Sequence, residues 1–187
     1  MKDLVDIREI QNIQQLDNEY DLQKALLLDR KLRLMVKENA DLKPFHDKLF
    51  QLIRDYEERN WAKSEHISET QFDEAETAEQ LVEIERKFIA QRKEAIRKKL
   101  KSYDMNQTDL AILLGHKKTY VSELINGVSQ FSMKDLVIIH RVLRISLTKL
   151  IPTYLQNETR EQVKKSISQL NKPKLKLRKK AKIKNLL

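Results

Sequence analysis

An all-α fold is what this sequence of 187 residues predicts, and three observations carry the expectation. Gly occurs twice and Pro three times, so the residues that break helices are nearly absent. Leu, Lys, Glu, Ile and Gln are abundant, and apolar positions recur every three or four residues rather than alternately, which leaves strands little support. Between Asn106 and Gly127 the text spells two short helices, residues 107–114 and 118–125, with Gly115 as the break between them. Leu110, Ala111 and Leu114 would face inward from the first, and Val121, Leu124 and Ile125 from the second. The pair can then share a core and leave Lys118, Thr119, Ser122 and Glu123 outside. Ala111 is small enough for two helices to cross closely, and Gly115 suits a left-handed turn that a side chain would penalise.

The rest of the chain is read in order. Residues 1–18 are polar with scattered Leu and Ile, and leave a short helix and a disordered start both open. Leu22, Leu26, Leu28, Leu32 and Leu34 predict an amphipathic helix over 19–38, ended by Asn39-Ala40-Asp41. Asp41 is placed to cap a second helix that takes Pro44 in its first turn, buries Phe45, Leu49, Leu52, Ile53 and Tyr56, and ends near Asn60. Trp61 is expected to pack over the junction of these helices. Residues 62–76, with Ser, His, Thr and several acids, read as a linker. A third helix is expected from about 75–78 through Leu81, Ile84, Phe88, Ile89, Ile96 and Leu100, with room for a break around 90–93.

Asn106 is the natural N-cap of the next helix, with Asp109 three residues on to complete a reciprocal cap. After Gly127, Ser132 caps a helix with Asp135 at its third position and Leu136, Ile139, Val142 and Leu143 on its apolar side. A last short helix at 146–151 ends before Pro152. From Gln156 the core pattern fades, and the lysine-rich run 172–184 reads as a basic, flexible tail. The expected organisation is an acidic helical region at 1–86, a helix-turn-helix domain at 87–155, and a basic tail at 156–187.

Charge supports this division. Residues 1–86 carry 13 Lys/Arg against 21 Asp/Glu, residues 87–159 carry 13 against 6, and residues 160–187 carry 11 against 1. The two basic segments are therefore the nucleic-acid candidates, while the acidic half suits a basic protein partner or serves solubility. Several chemistries are excluded. With no cysteine there are no disulfides, thiolate metal sites or cysteine nucleophiles. His46, His66, His116 and His140 have no metal-ligand spacing. Acidic pairs such as Glu57-Glu58 fall on polar surfaces without a nucleophile, so no catalytic residue, cofactor or metal is expected. No long apolar run suggests export or membrane spanning, and the cytoplasm is the default expectation.

On these residues the chain resembles a known family. Met105-Asn106-Gln107-Thr108-Asp109-Leu110-Ala111, then Leu114-Gly115, Val121-Ser122-Glu123-Leu124-Ile125-Asn126-Gly127 and Phe131-Ser132 resemble Xre/Cro-like (lambda-repressor-like) five-helix domains. The branch is that of HigA-type antitoxins, and Leu52-Ile53-Arg54-Asp55-Tyr56-Glu57 is a second, weaker likeness. The resemblance implies an antitoxin of a type II toxin-antitoxin system. Such a protein is a homodimer that binds palindromic operator DNA, represses its own operon and neutralises a HigB-like RNA-cleaving toxin. A stand-alone helix-turn-helix transcriptional regulator without a toxin partner is the alternative. The resemblance also assigns roles. Gln107 and Asn126 match phosphate-contacting positions, and Lys118 and Thr119 match positions that reach base edges, with Ser122 and Glu123 next on that face. Lys117 and Tyr120 fit backbone contacts. A lysine donates to guanine O6 or N7 and a glutamate accepts from cytosine N4. Lys118 meeting only phosphate, and Glu123 only tuning the surface, remain open at this point.

Overall fold

The computed structural model describes residues 7–62, 68–155 and 157–177, and within them every regular element is helical. The order is α1 (Ile7–Asn12), α2 (Glu19–Val36), a 3-10 turn (Ala40–Leu42), α3 (Lys43–Asn60), α4 (Glu69–Ser102), α5 (Gln107–Leu114), α6 (Lys118–Asn126), α7 (Met133–Leu143), α8 (Leu147–Leu150) and α9 (Asn157–Leu170). The chain divides into two compact units, Met1–Ile151 and Pro152–Leu187. No helix of the described residues is long and apolar enough to cross a membrane.

The first unit holds two apolar cores. In the N-terminal one, α1 and α2 pack on α3, and Ile10, Leu16, Leu22, Leu32, Leu49 and Ile53 lie inside. The Asn18 side chain caps α2 by accepting from the Asp21 amide. The buried stripe of α2 is Leu22, Ala25, Asp29 and Leu32, spaced for one helical face. Leu34 falls off that face and is 65% exposed, against the sequence expectation. Asn39, rather than Asp41, supplies the cap that follows, bonding the Asp41 amide at the 3-10 turn. Pro44 sits in the first turn of α3 as expected. Trp61 does pack on this core.

Helix α4 corrects two expectations. It starts at Glu69, inside the stretch read as a linker, because Ser68 and Gln71 form a complete capping box there. Residues 63–67 of that stretch lie outside the described residues. Nor is α4 broken at 90–93: it runs unbroken for 34 residues, about 50 Å at 1.5 Å per residue. The polar run that suggested a break contains Arg92, which is buried. Its guanidinium sits 5.3 Å from the centre of the Phe88 ring and 5.0 Å from that of Phe131. A cation stacked on two aromatic rings takes the place an apolar residue would hold. Ala78 and Val82 of α4 are buried where it packs on α2, while Ile96 and Leu100 enter the second core.

That second core is built from Leu110, Leu114, Val121, Leu124, Ile139 and Leu150 with their neighbours, and the last turns of α4 and α5–α8 close around it. Each helix is punctuated locally. Asn106 and Asp109 cap α5 reciprocally, as do Ser132 and Asp135 for α7. Gly115 and Gly127 end α5 and α6 with φ of 72° and 79°, the left-handed region where glycine has no Cβ penalty. Val142, expected inside, is 45% exposed, since Leu136, Ile139 and Leu143 already fill the inward face of α7.

In the second unit, α9 is a helix of 14 residues in a stretch read from sequence as the start of a flexible tail. Its Val163 and Ile167 are four residues apart and half-buried, an i, i+4 pair on one face. After it Leu175 and Leu177 are exposed. Arg178, Lys179, Lys180, Lys182 and Lys184 of the basic run lie outside the described residues.

Candidate nucleic-acid interface

The expected contact residues converge on one end of the α5–α6 pair. Lys117, Lys118, Thr119 and Tyr120, at the start of α6, are all exposed. Gln107, the first residue of α5, donates from its Nε2 to the Lys118 carbonyl at 3.4 Å. The N-termini of two helices are therefore brought together, with cationic side chains beside them. The start of α6, whose N-cap Lys117 makes no side-chain capping bond, presents free first-turn amides, the positive end of a helix dipole and lysines to an anion such as a backbone phosphate. Lys118 and Thr119 point away from the core that Val121, Leu124 and Ile125 occupy.

The other two of the expected base-reading set are placed differently. Ser122 and Glu123 are half-buried, and Glu123 accepts from the Ser129 hydroxyl at 3.2 Å. This ties the side chain to the turn after α6. Asn126 is the most constrained of the expected phosphate contacts. Its Nδ2 donates to the Ser122 carbonyl at 2.8 Å and its Oδ1 accepts from Lys93 Nζ at 2.8 Å. The amide thus joins the end of α6 to α4. Next to it, a Cβ on Gly127 would lie 2.8 Å from Ile89 of α4, so the close approach of α4 requires glycine there. By contrast, a Cβ on Gly115 would meet nothing within 4 Å.

Two residues orient this end in ways that were not read from the sequence. Asp135 is only 2% exposed. It receives the Ser132 amide at 3.1 Å on one oxygen and has His116 Nε2 at 3.0 Å from the other. Burial pushes its carboxyl up, but the Ser132 hydroxyl and amide together with His116 outweigh that and hold it below the usual aspartate value. His116 in turn meets the Tyr120 ring edge-on at 5.1 Å between centroids. The turn between α5 and α6, the first turn of α6 and the start of α7 are thereby fixed to one another. Lys93 is the second such residue, through Asn126. An Asp at the third position of a capping box was legible in the sequence, but its link to His116, nineteen residues away, was not. Among the described residues no group of His, Cys, Asp and Glu could hold a metal ion.

Comparison with protein families agrees with this geometry. A family model described as Helix-turn-helix matches residues 96–150, the last turns of α4 together with α5–α8. Neither the curated proteins nor the solved structures returned a match. Residues 96–150 are a DNA-binding helix-turn-helix domain of the general Xre/Cro type, a regulatory and non-catalytic module.

Proposed function

We propose that the chain is an operator-binding antitoxin. It represses its own operon as a homodimer and neutralises a HigB-like RNA-cleaving toxin through its acidic helices. The observation that carries this reading is that one helix, α4, packs on α2 and also enters the core of the helix-turn-helix domain, so it joins the N-terminal helices to that domain. In this reading Lys118 and Thr119 reach base edges, with Ser122 and Glu123 at the margin of the same face. Gln107, Lys117 and Tyr120 anchor phosphates. Asn126 acts by fixing the end of α6 against Lys93 and contributes to phosphate anchoring from there. Exposed Lys172, Lys174 and Lys176 of the second unit add sequence-independent attraction to DNA.

An RNA-cleaving toxin needs positive charge to hold its substrate, so residues 19–86, with 11 Lys/Arg against 17 Asp/Glu, offer it a complementary acidic face. Co-expression of the full chain with the product of the neighbouring gene tests both halves. Lys118→Ala is expected to lose operator selectivity and keep the partner, whereas Glu57→Lys with Glu58→Lys is expected to release the partner and keep DNA. Absence of any complex with the neighbouring product would overturn the antitoxin reading. A stand-alone regulator is the second reading, favoured by a cavity where the N-terminal helices meet the end of α6.

A further inference from the structure

That cavity has a volume of about 400 Å3, within the range of roughly 300–1,000 Å3 typical of small-molecule sites. Its wall is contributed by α2, the middle of α4 and the turn Asn126–Gly127–Val128 that ends α6. Leu27, Leu28, Val82, Ile89 and Val128 make it apolar. Five charged side chains stand at its margin: Asp21, Lys24, Lys31, Glu85 and Arg86. Several are already engaged. Arg86 is held by both oxygens of Glu83 at 2.8 and 2.9 Å, and Glu85 accepts from the Tyr20 hydroxyl at 2.5 Å. Lys31 has no hydrogen-bond or ion-pair partner among the described residues, and Lys24 has only the Tyr20 ring, 5.6 Å from its Nζ. Asp21 is engaged as well, so the uncommitted charge at this cavity is positive. Lys24 and Lys31 are seven residues apart on α2, two turns and about 10 Å along its axis.

We propose that this cavity is a binding site for a small amphipathic carboxylate, an acid with an aliphatic or aryl body. Its tail would lie against Leu28, Val82, Ile89 and Val128 while its carboxylate pairs with Lys31, since Lys24 already lies over the Tyr20 ring. Apolar contact supplies the affinity, and the ammonium group selects the sign of the head. Because Gly127 and Val128 form one wall, an occupant touches the turn that closes α6 and bears directly on how that helix is held by Ile89 and Lys93. Such a ligand would couple a metabolite to DNA binding without any catalytic step.

Four probes separate the contributions of head and tail: decanoate, decanol, decylamine and acetate, each titrated against the full chain by calorimetry and thermal melting. Decanoate is expected to bind saturably and raise the melting temperature, with decanol weaker and with acetate and decylamine giving no saturable response. Lys31→Gln, at an exposed position, is expected to weaken decanoate roughly tenfold, the scale of one charge-assisted contact. Val128→Trp, which fills the cavity, is expected to abolish binding while helical circular dichroism persists. Saturable binding of decylamine as tight as that of decanoate would overturn the proposal, as would an equal response to acetate, or decanoate binding unchanged in Lys31→Gln. If Val128→Trp fails to fold, the Lys31→Gln comparison still decides.

Discussion

The two cores of the first unit are held together by different means. Around α5–α8 most of the polar work is local, through Asn106 with Asp109, Ser132 with Asp135, Ser146 with the Thr148 amide, and glycines ending α5 and α6, with His116–Asp135 and Lys93–Asn126 as the longer links. The N-terminal core instead ties together side chains far apart in the chain. Glu19 Oε1 accepts from the Tyr56 hydroxyl at 3.0 Å and from Trp61 Nε1 at 2.9 Å, links across 37 and 42 residues, while its other oxygen is buried with no hydrogen-bond partner among the described residues. Asp29, buried in α2, has Arg33 2.6 Å from one oxygen and His46 3.1 Å from the other. A core stabilised by apolar packing plus local caps tolerates loss of one polar group. A buried carboxylate, such as Asp29 in the N-terminal core or Asp135 beside the second, costs more to unpair, because the remaining partner keeps its desolvation cost.

That contrast can be broken most forcefully through packing. Leu124→Ala and Leu32→Ala both truncate fully buried side chains, and each is expected to cost about 2–5 kcal/mol. Since α4 packs on α2 and enters the second core, both substitutions should lower a single thermal transition. Two separate transitions by circular dichroism would mean that α4 does not couple the regions.

The next largest effect concerns the glycines. Gly127→Ala combines a left-handed φ with a Cβ 2.8 Å from Ile89, whereas Gly115→Ala has the strain alone. Gly115→Ala should cost about 1–2 kcal/mol, with Gly127→Ala clearly more destabilising in denaturant titration. Pairing Gly127→Ala with Ile89→Ala should recover part of the difference. Equal costs for the two glycines would remove the α4 contact from the account.

Polar substitutions sharpen the comparison at smaller magnitude. Trp61→Phe takes one donor from Glu19 and should cost about 1–3 kcal/mol while DNA affinity is unchanged. Asp135→Ala removes a cap and the His116 contact and should cost about 1–2 kcal/mol, with weaker DNA binding because the α5–α6 turn loosens. Asp135 also has a pH signature. Its native value is lowered, so its stabilisation is complete above the ordinary aspartate value of 3.8 and is lost as pH falls through the lower native value. Acid titration of stability should therefore have a smaller slope between 3.8 and the lower native value in Asp135→Ala than in the wild type.

The same contrast explains what was legible in the sequence. In residues 106–127 every signal is within a few positions of its consequence, so the caps, the glycine turns and the inward set Leu110, Leu114, Val121, Leu124 and Ile125 could be read directly. The start of α4 was missed because Ser68 was taken as linker rather than as a cap, although Gln71 stood three residues on. Its continuity was missed because Arg92 is charged, and nothing local announces that Phe88 and Phe131 will receive it. Of the interface, the exposure of Lys118 and Thr119 followed from helical spacing, whereas Ser122 and Glu123, expected outside by the same spacing, are half-buried. The engagement of Asn126 by Lys93 and of His116 by Asp135 did not, since both partners arrive from other helices. Helix α9 has too few apolar residues to make a periodic signal stand out from its lysines and glutamines.

The central claim is that the exposed first turn of α6 reads base edges while the residues behind it hold that turn in place. Selection of bound duplexes from a random pool, carried out with the full chain and with Lys118→Ala, tests it most directly. The account predicts that the wild type enriches a roughly palindromic site. It predicts that Lys118→Ala binds with a discrimination loss of about 1–3 kcal/mol confined to one base pair in each half-site. An even loss of affinity for all duplexes in Lys118→Ala would place that lysine on phosphate, and no enriched site for the wild type would contradict the account.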